Sequence, residues 1–232
     1  MNKMKMVFAV SAILMISSCS SSKTIQTVYT AAQQKALTPD QVLQNLKDGN
    51  SRFVQNEMLK RNLVMQAHAA SDGQYPEAAI ISCLDSRIPV EQVFDAGIGD
   101  LFVGRVAGNF VNTDLLGSLE FACKVTGAKL IVILGHSSCG AVKSAIDNVK
   151  MGNITSMLSN IQPAIALSQN FQSDKSSKND AFTDLVARNN VLHTIEVIKS
   201  DSPVLNEMLH NGEIKIVGAF YDIKTGMISF MQ

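Results

Sequence analysis

Two short stretches carry residue types capable of chemistry. Cys83-Leu84-Asp85-Ser86-Arg87 follows the apolar run "AAIIS" (Ala78 to Ser82), and His136-Ser137-Ser138-Cys139 follows "KLIVIL" (Lys129 to Leu134) across one glycine. Two thiolates and an imidazole form a ligand set for zinc, and three protein ligands leave a fourth position open for catalysis. A helix-like pattern begins at Cys139, placing its sulfur in a first turn where the dipole favours a thiolate. On spacing alone, the same residues read equally as a buried cysteine and a capped histidine. Asp85 and Arg87 are spaced to form a carboxylate–guanidinium pair.

The surrounding elements must bring these stretches together. Strand candidates lie at "AAIIS", "LFVGR" (Leu101 to Arg105), "KLIVIL", "IKIVGAFYD" (Ile214 to Asp222) and "MISFM" near the end. Helical patterns fall at Thr113 to Thr126, Cys139 to Val149, Ile154 to Ser168 and Ala181 to Lys199. "LTPDQVLQNLKDGNSRFVQ" reads as an earlier amphipathic helix, with Thr38 as N-cap, Pro39 at the first helical position and a break near Gly49. Apolar strands separated by helices imply an α/β fold with a mostly parallel central sheet flanked by helices. Ligands in such sheets gather beyond the carboxyl ends of the strands, where strand order reverses. The residues directly after strands therefore matter most.

A chain of 232 residues fits one main domain. Zero net charge with 17% charged residues gives no electrostatic footprint for nucleic acid. The first residues stand apart from the fold. Two lysines precede an apolar run, Met6 to Ile16, that is shorter than the roughly 20 residues a membrane span needs. This describes an export signal over residues 1–18, and Ile16-Ser17-Ser18-Cys19 resembles the lipobox of bacterial lipoproteins. That resemblance implies a lipid anchor at Cys19, a tether over residues 19–36, and a periplasmic or cell-envelope location. Without Cys19, an odd set of Cys83, Cys123 and Cys139 remains, which favours metal ligation over a disulfide framework. Cys123 reads as core.

"CLDSR" and "GHSSCGAV" together resemble the β-class carbonic anhydrases, whose signature is Cys-x-Asp-x-Arg followed some fifty residues later by His-x-x-Cys. Here Cys83 and His136 are 53 positions apart (136 − 83). "KDGNSRFV", "DLFVGRVAGN", "GSLEFA" and "VGAFYDIKTGMISFM" look like further segments of that family, in the family's order. The resemblance covers residues 37–232. It implies a sheet of four to five strands, a homodimer or higher homo-oligomer with active sites at the subunit interface, and one zinc ion per chain held by Cys83, His136 and Cys139. It makes Asp85 and Arg87 the catalytic dyad and assigns Gln74, Phe102, Phe121 and Gly140 to substrate binding. The implied reaction is reversible hydration of carbon dioxide to bicarbonate and a proton by zinc-bound hydroxide.

Two departures concern the pocket. Phe121 stands where many members place a tyrosine, and Val106 replaces an asparagine usual in that loop. Two readings compete with the leading one. The first is a hydrolase of carbon disulfide or carbonyl sulfide on the same fold. The second is a non-catalytic zinc protein in which Asp85 ligates the metal permanently.

Overall fold

The computed structural model describes Met1 and residues 24–231. The expected signal over residues 1–18 and the anchor at Cys19 lie outside the described residues.

Among the described residues, the apolar runs form five strands: β1 (Ala78–Ser82), β2 (Leu101–Arg105), β3 (Leu130–His136), β4 (Lys215–Tyr221) and β5 (Ile228–Met231). Their order is β2-β1-β3-β4-β5; the first four are parallel, and β5 returns antiparallel to β4. Every residue of β1 and β3 is buried. Their continuous hydrophobicity suits inner strands covered on both faces.

Among the described residues, ten α-helices supply the covers: α1 (Ala31–Ala36), α2 (Pro39–Val54), α3 (Leu63–Ala69), α4 (Val90–Val93), α5 (Thr113–Glu120), α6 (Gly140–Ile146), α7 (Gly152–Ser159), α8 (Gln162–Leu167), α9 (Asp180–Asp201) and α10 (Pro203–His210). One core joins Ile80, Val132 and Leu134 to Val42 and Leu46 of α2 and Phe182 of α9. The other joins Ile81, Ile131 and Ile133 to Leu119 of α5, Ile198 of α9 and Leu205 of α10. The long helix α9 thus packs on both cores. Its Val191 seats over Gly135 of β3 and Gly218 of β4, where an added Cβ would lie 2.6 and 2.8 Å from the valine methyls.

Several boundaries depart from the sequence reading, each for a physical reason. Helix α2 is capped by Thr38, as its sequence implies, but runs unbroken through Gly49. That glycine marks a close approach, since a Cβ there would overlap the Phe94 carbonyl. The expected helix at 113–126 is α-helical only to Glu120 and then widens into a π-helical turn, Phe121–Val125. The pattern at 154–168 divides into α7 and α8. A continuous helix would need an N–H from Pro163 toward Ser159, and proline has none.

Residues 24–36, part of the expected tether, make contacts with the fold. Thr30 and Gln33 form a capping box at the start of α1, and buried Gln34 donates to the carbonyls of Pro76 and Thr126 at 2.7 and 2.9 Å. The Tyr29 hydroxyl donates to Glu77 at 3.3 Å. Tyr29 and Gln34 thus tie this segment to the edge of the sheet and to the turn after Val125.

Candidate active site

From β1 the chain passes first to β2 on one side and later to β3 on the other, so the carboxyl edge between β1 and β3 is the switch point of the sheet. Ser82 pairs with Leu134 in register. Cys83 leaves β1 at the next position, while β3 continues two residues further to end on His136. The chain then turns through Ser138, at φ +53°, into Cys139. Cys139 is the N-cap of α6, one residue ahead of the helix proper rather than inside its first turn.

Cys83, His136 and Cys139 are all buried, and their ligand atoms lie within 4.8 Å of one another. The two sulfurs are 4.0 Å apart. A tetrahedral zinc with Zn–S bonds of about 2.3 Å would place them about 3.8 Å apart. His136 Nδ1 lies 2.9 Å from the Ser137 carbonyl, so that nitrogen carries the proton and donates. Its Nε2 is left as a lone-pair donor, buried and without a hydrogen-bond partner. An orphaned imidazole nitrogen beside two close sulfurs, with the opposite N–H fixed on a carbonyl, is what a metal requires of its ligands. The residues present fit zinc.

The thiols are electrostatically unequal. Hydrogen bonds from Cys139 and from the backbone N–H of Gly108 (3.4 Å) hold the Cys83 thiol well below the usual thiol range, against the opposing effect of burial. Cys139 is pushed upward, chiefly because it holds the proton shared with Cys83 and also because it is buried. A bound metal would displace that proton, coupling binding to proton release.

Asp85 and Arg87 form the expected fork. Arg87 Nε donates to Asp85 Oδ1 at 2.9 Å and Nη2 to Oδ2 at 2.6 Å, while the Arg87 backbone N–H also reaches Oδ1, at 3.0 Å. These bonds hold the Asp85 carboxyl down at about 2. Its Oδ2 stands 4.0 Å from His136 Nε2. A carboxylate with both oxygens on a guanidinium faces the site without being committed to a metal.

Of the residues expected to bind substrate, only Gly140 adjoins this cluster, as the first residue of α6. Gln74 precedes the amino end of β1, in a groove with Gln34, Tyr75 and Lys124. Phe102 pairs with Ala79, four residues short of Cys83, or about 13 Å at ~3.3 Å per residue. Phe102 and half-exposed Phe121 line a mainly apolar groove of about 570 Å³ with Leu115 and Ala122. One chain therefore gathers the metal set and the dyad, but not Gln74, Phe102 and Phe121.

The sequence reading missed three contributors. Arg105, the last residue of β2, donates to the carbonyls of Cys83 and Asp85 at 3.0 and 2.5 Å, clamping the segment between them. Gly108 supplies the N–H on Cys83. Asn190, wholly buried on α9, donates to the Gly108 carbonyl at 2.7 Å. An asparagine between Ala187 and Val191 on an apolar helix face was the available signal.

Fold and site together define an α/β protein with a Cys-His-Cys cluster that could hold a metal ion at a sheet switch point, partnered by an Asp–Arg pair. The family model described as carbonic anhydrase matches residues 78–228, and the chain belongs to that family. It is 34% identical over 187 residues to carbonic anhydrase 2 of Mycobacterium tuberculosis, covering 78% of this chain and 87% of the relative. It is likewise 34% identical over 189 residues to the carbonic anhydrase of Mycolicibacterium smegmatis, covering 79% and 88%. Among solved structures, a β-carbonic anhydrase of Coccomyxa in complex with acetazolamide superposes with a TM-score of 0.61 at 26% identity, over 70% of this chain and 74% of that one. A tetrameric β-carbonic anhydrase of Sordaria macrospora gives 0.64 at 24%, over 71% and 85%, and shares the fold. The class is the β-class.

Proposed function

We propose that this chain is a zinc-dependent carbonate dehydratase that converts carbon dioxide and water to bicarbonate and a proton, working as a homo-oligomer at the cell envelope. The observation that carries this reading is the Asp85 carboxylate, held by Arg87 beside the Cys83–His136–Cys139 cluster. Zinc held by those three residues would supply Lewis acidity, lowering the pKa of water toward neutrality. Two thiolates offset both charges of the dication, so a second group is needed to handle the water proton. Asp85 meets that need: kept ionised by Arg87, it accepts a hydrogen bond from water and orients it. Arg87 also occupies both carboxylate oxygens, which opposes the reading of Asp85 as a permanent ligand. Water oxygen adds to the carbon of carbon dioxide, and one proton leaves to solvent. We assign no shuttle role to His68, His193 or His210.

The oligomer follows from what one chain lacks. The groove at Phe102 and Phe121 flanks β2, an edge strand with a single neighbour. A second copy bringing its own Gln74, Phe102 and Phe121 would complete an apolar pocket with one amide donor, suited to a small nonpolar oxide. Export and lipidation rest on the sequence from Met1 to Cys19; membrane fractionation of the native chain against Cys19→Ala tests them.

The deciding experiment is stopped-flow hydration of carbon dioxide from pH 6.5 to 9 on the chain lacking its lipid cysteine, with zinc quantified in the same samples. Fast hydration at about one zinc per chain supports the reading. Full zinc occupancy without hydration at any pH overturns it.

A further inference from the structure

Among the described residues, four buried side-chain polar atoms have no hydrogen-bond partner: Ser82 Oγ, Asn109 Nδ2, His136 Nε2 and Asn190 Oδ1. Three fall at the carboxyl edge or on the loop beside it, and Asn190 reaches that loop from α9. Ser82 precedes Cys83, His136 is a ligand, and Asn109 follows Gly108, which Asn190 touches. The orphaned nitrogen of His136 is explained by a metal. The amide of Asn190 needs another explanation. Burying an amide with an open acceptor carries a desolvation cost that an apolar residue of similar shape would avoid. Its contribution must lie in what its Nδ2 holds.

That contact is the Gly108 carbonyl. Gly108 is gripped from two sides: Asn190 donates to its C=O at 2.7 Å, and its own N–H donates to Cys83 Sγ at 3.4 Å. The loop carrying it is unusual. Gly108 and Asn109 are both left-handed, at φ +91° and +43°, and a Cβ on Gly108 would lie 2.6 Å from Ile161. Two such residues in succession are not a local preference of the chain. The loop's own backbone ties are Val106 N–H to Ser82 and Asn109 N–H to Val106, neither of which fixes the Gly108 carbonyl. Asn190 does, from a helix whose depth is set by Val191 seated over Gly135 and Gly218.

We propose that Asn190 is a positioning residue for the metal site: its amide fixes Gly108 so that the Gly108 N–H points at Cys83, and this sets how tightly the cluster holds zinc. The inference rests on the metal reading of Cys83, His136 and Cys139. Asn190 touches neither substrate nor metal and acts through the loop. Outer partners of metal ligands change affinity by about 10–100-fold.

The test uses the full mature chain loaded with cadmium-113, whose nuclear spin couples through an N–H···S hydrogen bond to the amide proton. The Gly108 amide of the wild type shows coupling to the metal. Asn190→Leu, which keeps shape and removes the donor, loses that coupling and binds zinc about 10–100-fold more weakly in chelator competition. Thr194→Val, the same kind of buried polar-to-apolar change one turn along α9, leaves both readouts unmoved. If Asn190→Leu does not fold, Asn190→Ser, too short to reach Gly108, is judged by the same criteria. Wild-type affinity in the folded Asn190 variant overturns the proposal, as does equal weakening in Thr194→Val. Cadmium bound by Cys83 without coupling to Gly108 overturns this inference alone, whereas cadmium that does not bind Cys83 overturns the metal reading beneath it.

Discussion

Arg87 occupies both carboxylate oxygens of Asp85, at 2.9 and 2.6 Å, and so decides which way that carboxylate can work. A guanidinium offers two parallel N–H bonds, while an ammonium offers a point charge with no preferred plane. Arg87→Lys is therefore expected to keep the charge and lose the orientation. Zinc content should stay at the wild-type level while hydration falls by about 10²-fold, the lower end of what a positioned acid–base group contributes. Stopped-flow rates with metal analysis check this; a lysine variant at wild-type rate would mean the fork is only a salt bridge.

Cys83, His136 and Cys139 are buried, but the two apolar cores extend well beyond them, from α2 across the sheet to α10. Removing the metal should therefore abolish activity without abolishing the fold. Cys139→Ser is expected to purify with little zinc and no hydration, while its far-ultraviolet circular dichroism matches the wild type. Chelation of the wild type should lower Tm by several degrees, since a ligand that binds only the folded state stabilises it. Unfolding on chelation would instead make the cluster a structural keystone.

The strands were readable because β1 and β3 are buried throughout, and Ala78–Ser82 and Leu101–Arg105 have the boundaries their apolar runs imply. The convergence of Cys83, His136 and Cys139 beside Asp85 and Arg87 was readable because these residues lie at or just beyond the ends of β1 and β3. What lay hidden was set by tertiary contact. The π-helical turn at Phe121–Val125 places Thr126 N–H on the Phe121 carbonyl at 3.0 Å, an arrangement no apolar spacing announces. Asn190 reaches Gly108 across 82 residues (190 − 108), and a lone amide carries no spacing signal. Helix α1 was legible in principle, since Thr30 and Gln33 have the spacing of a capping box.

Glu77 provides a pH-dependent test of the fold, independent of the metal. It is buried at the amino end of β1, accepts from Asn45 at 2.7 Å and Tyr29 at 3.3 Å, and has Asp100 nearby. Burial, then the Asp100 charge, raises its carboxyl to about 7, against the lowering effect of its hydrogen bonds. The folded state thus holds a proton that the unfolded state releases at its ordinary value near 4.5. The stabilisation is complete below about 4.5 and is lost as pH rises through about 7. Glu77→Gln, neutral throughout, should be more stable than the wild type above pH 7, by up to about 3 kcal/mol. It should also lose the decline in Tm between pH 5 and 8. Parallel Tm curves for the two proteins would show that Glu77 is ionised at no cost.

Phe102 tests whether a second copy completes the site. It lies on the edge strand about 13 Å short of Cys83 at ~3.3 Å per residue, in the groove it shares with Phe121. A carboxylate placed there cannot disturb the ligands of its own chain, yet it would sit in an apolar contact between chains. Phe102→Glu is expected to weaken association at least tenfold, as losing an aromatic anchor does at an interface. The variant should sediment as a monomer at concentrations where the wild type is oligomeric, keep about one zinc per chain, and lose hydration. Three measurements separate the possibilities: sedimentation velocity, zinc content and stopped-flow rate. A zinc-loaded monomer with full activity would mean that one chain forms its own pocket and that Gln74, Phe102 and Phe121 have no part in it. A zinc-loaded monomer without activity would place those residues in the neighbouring chain's pocket.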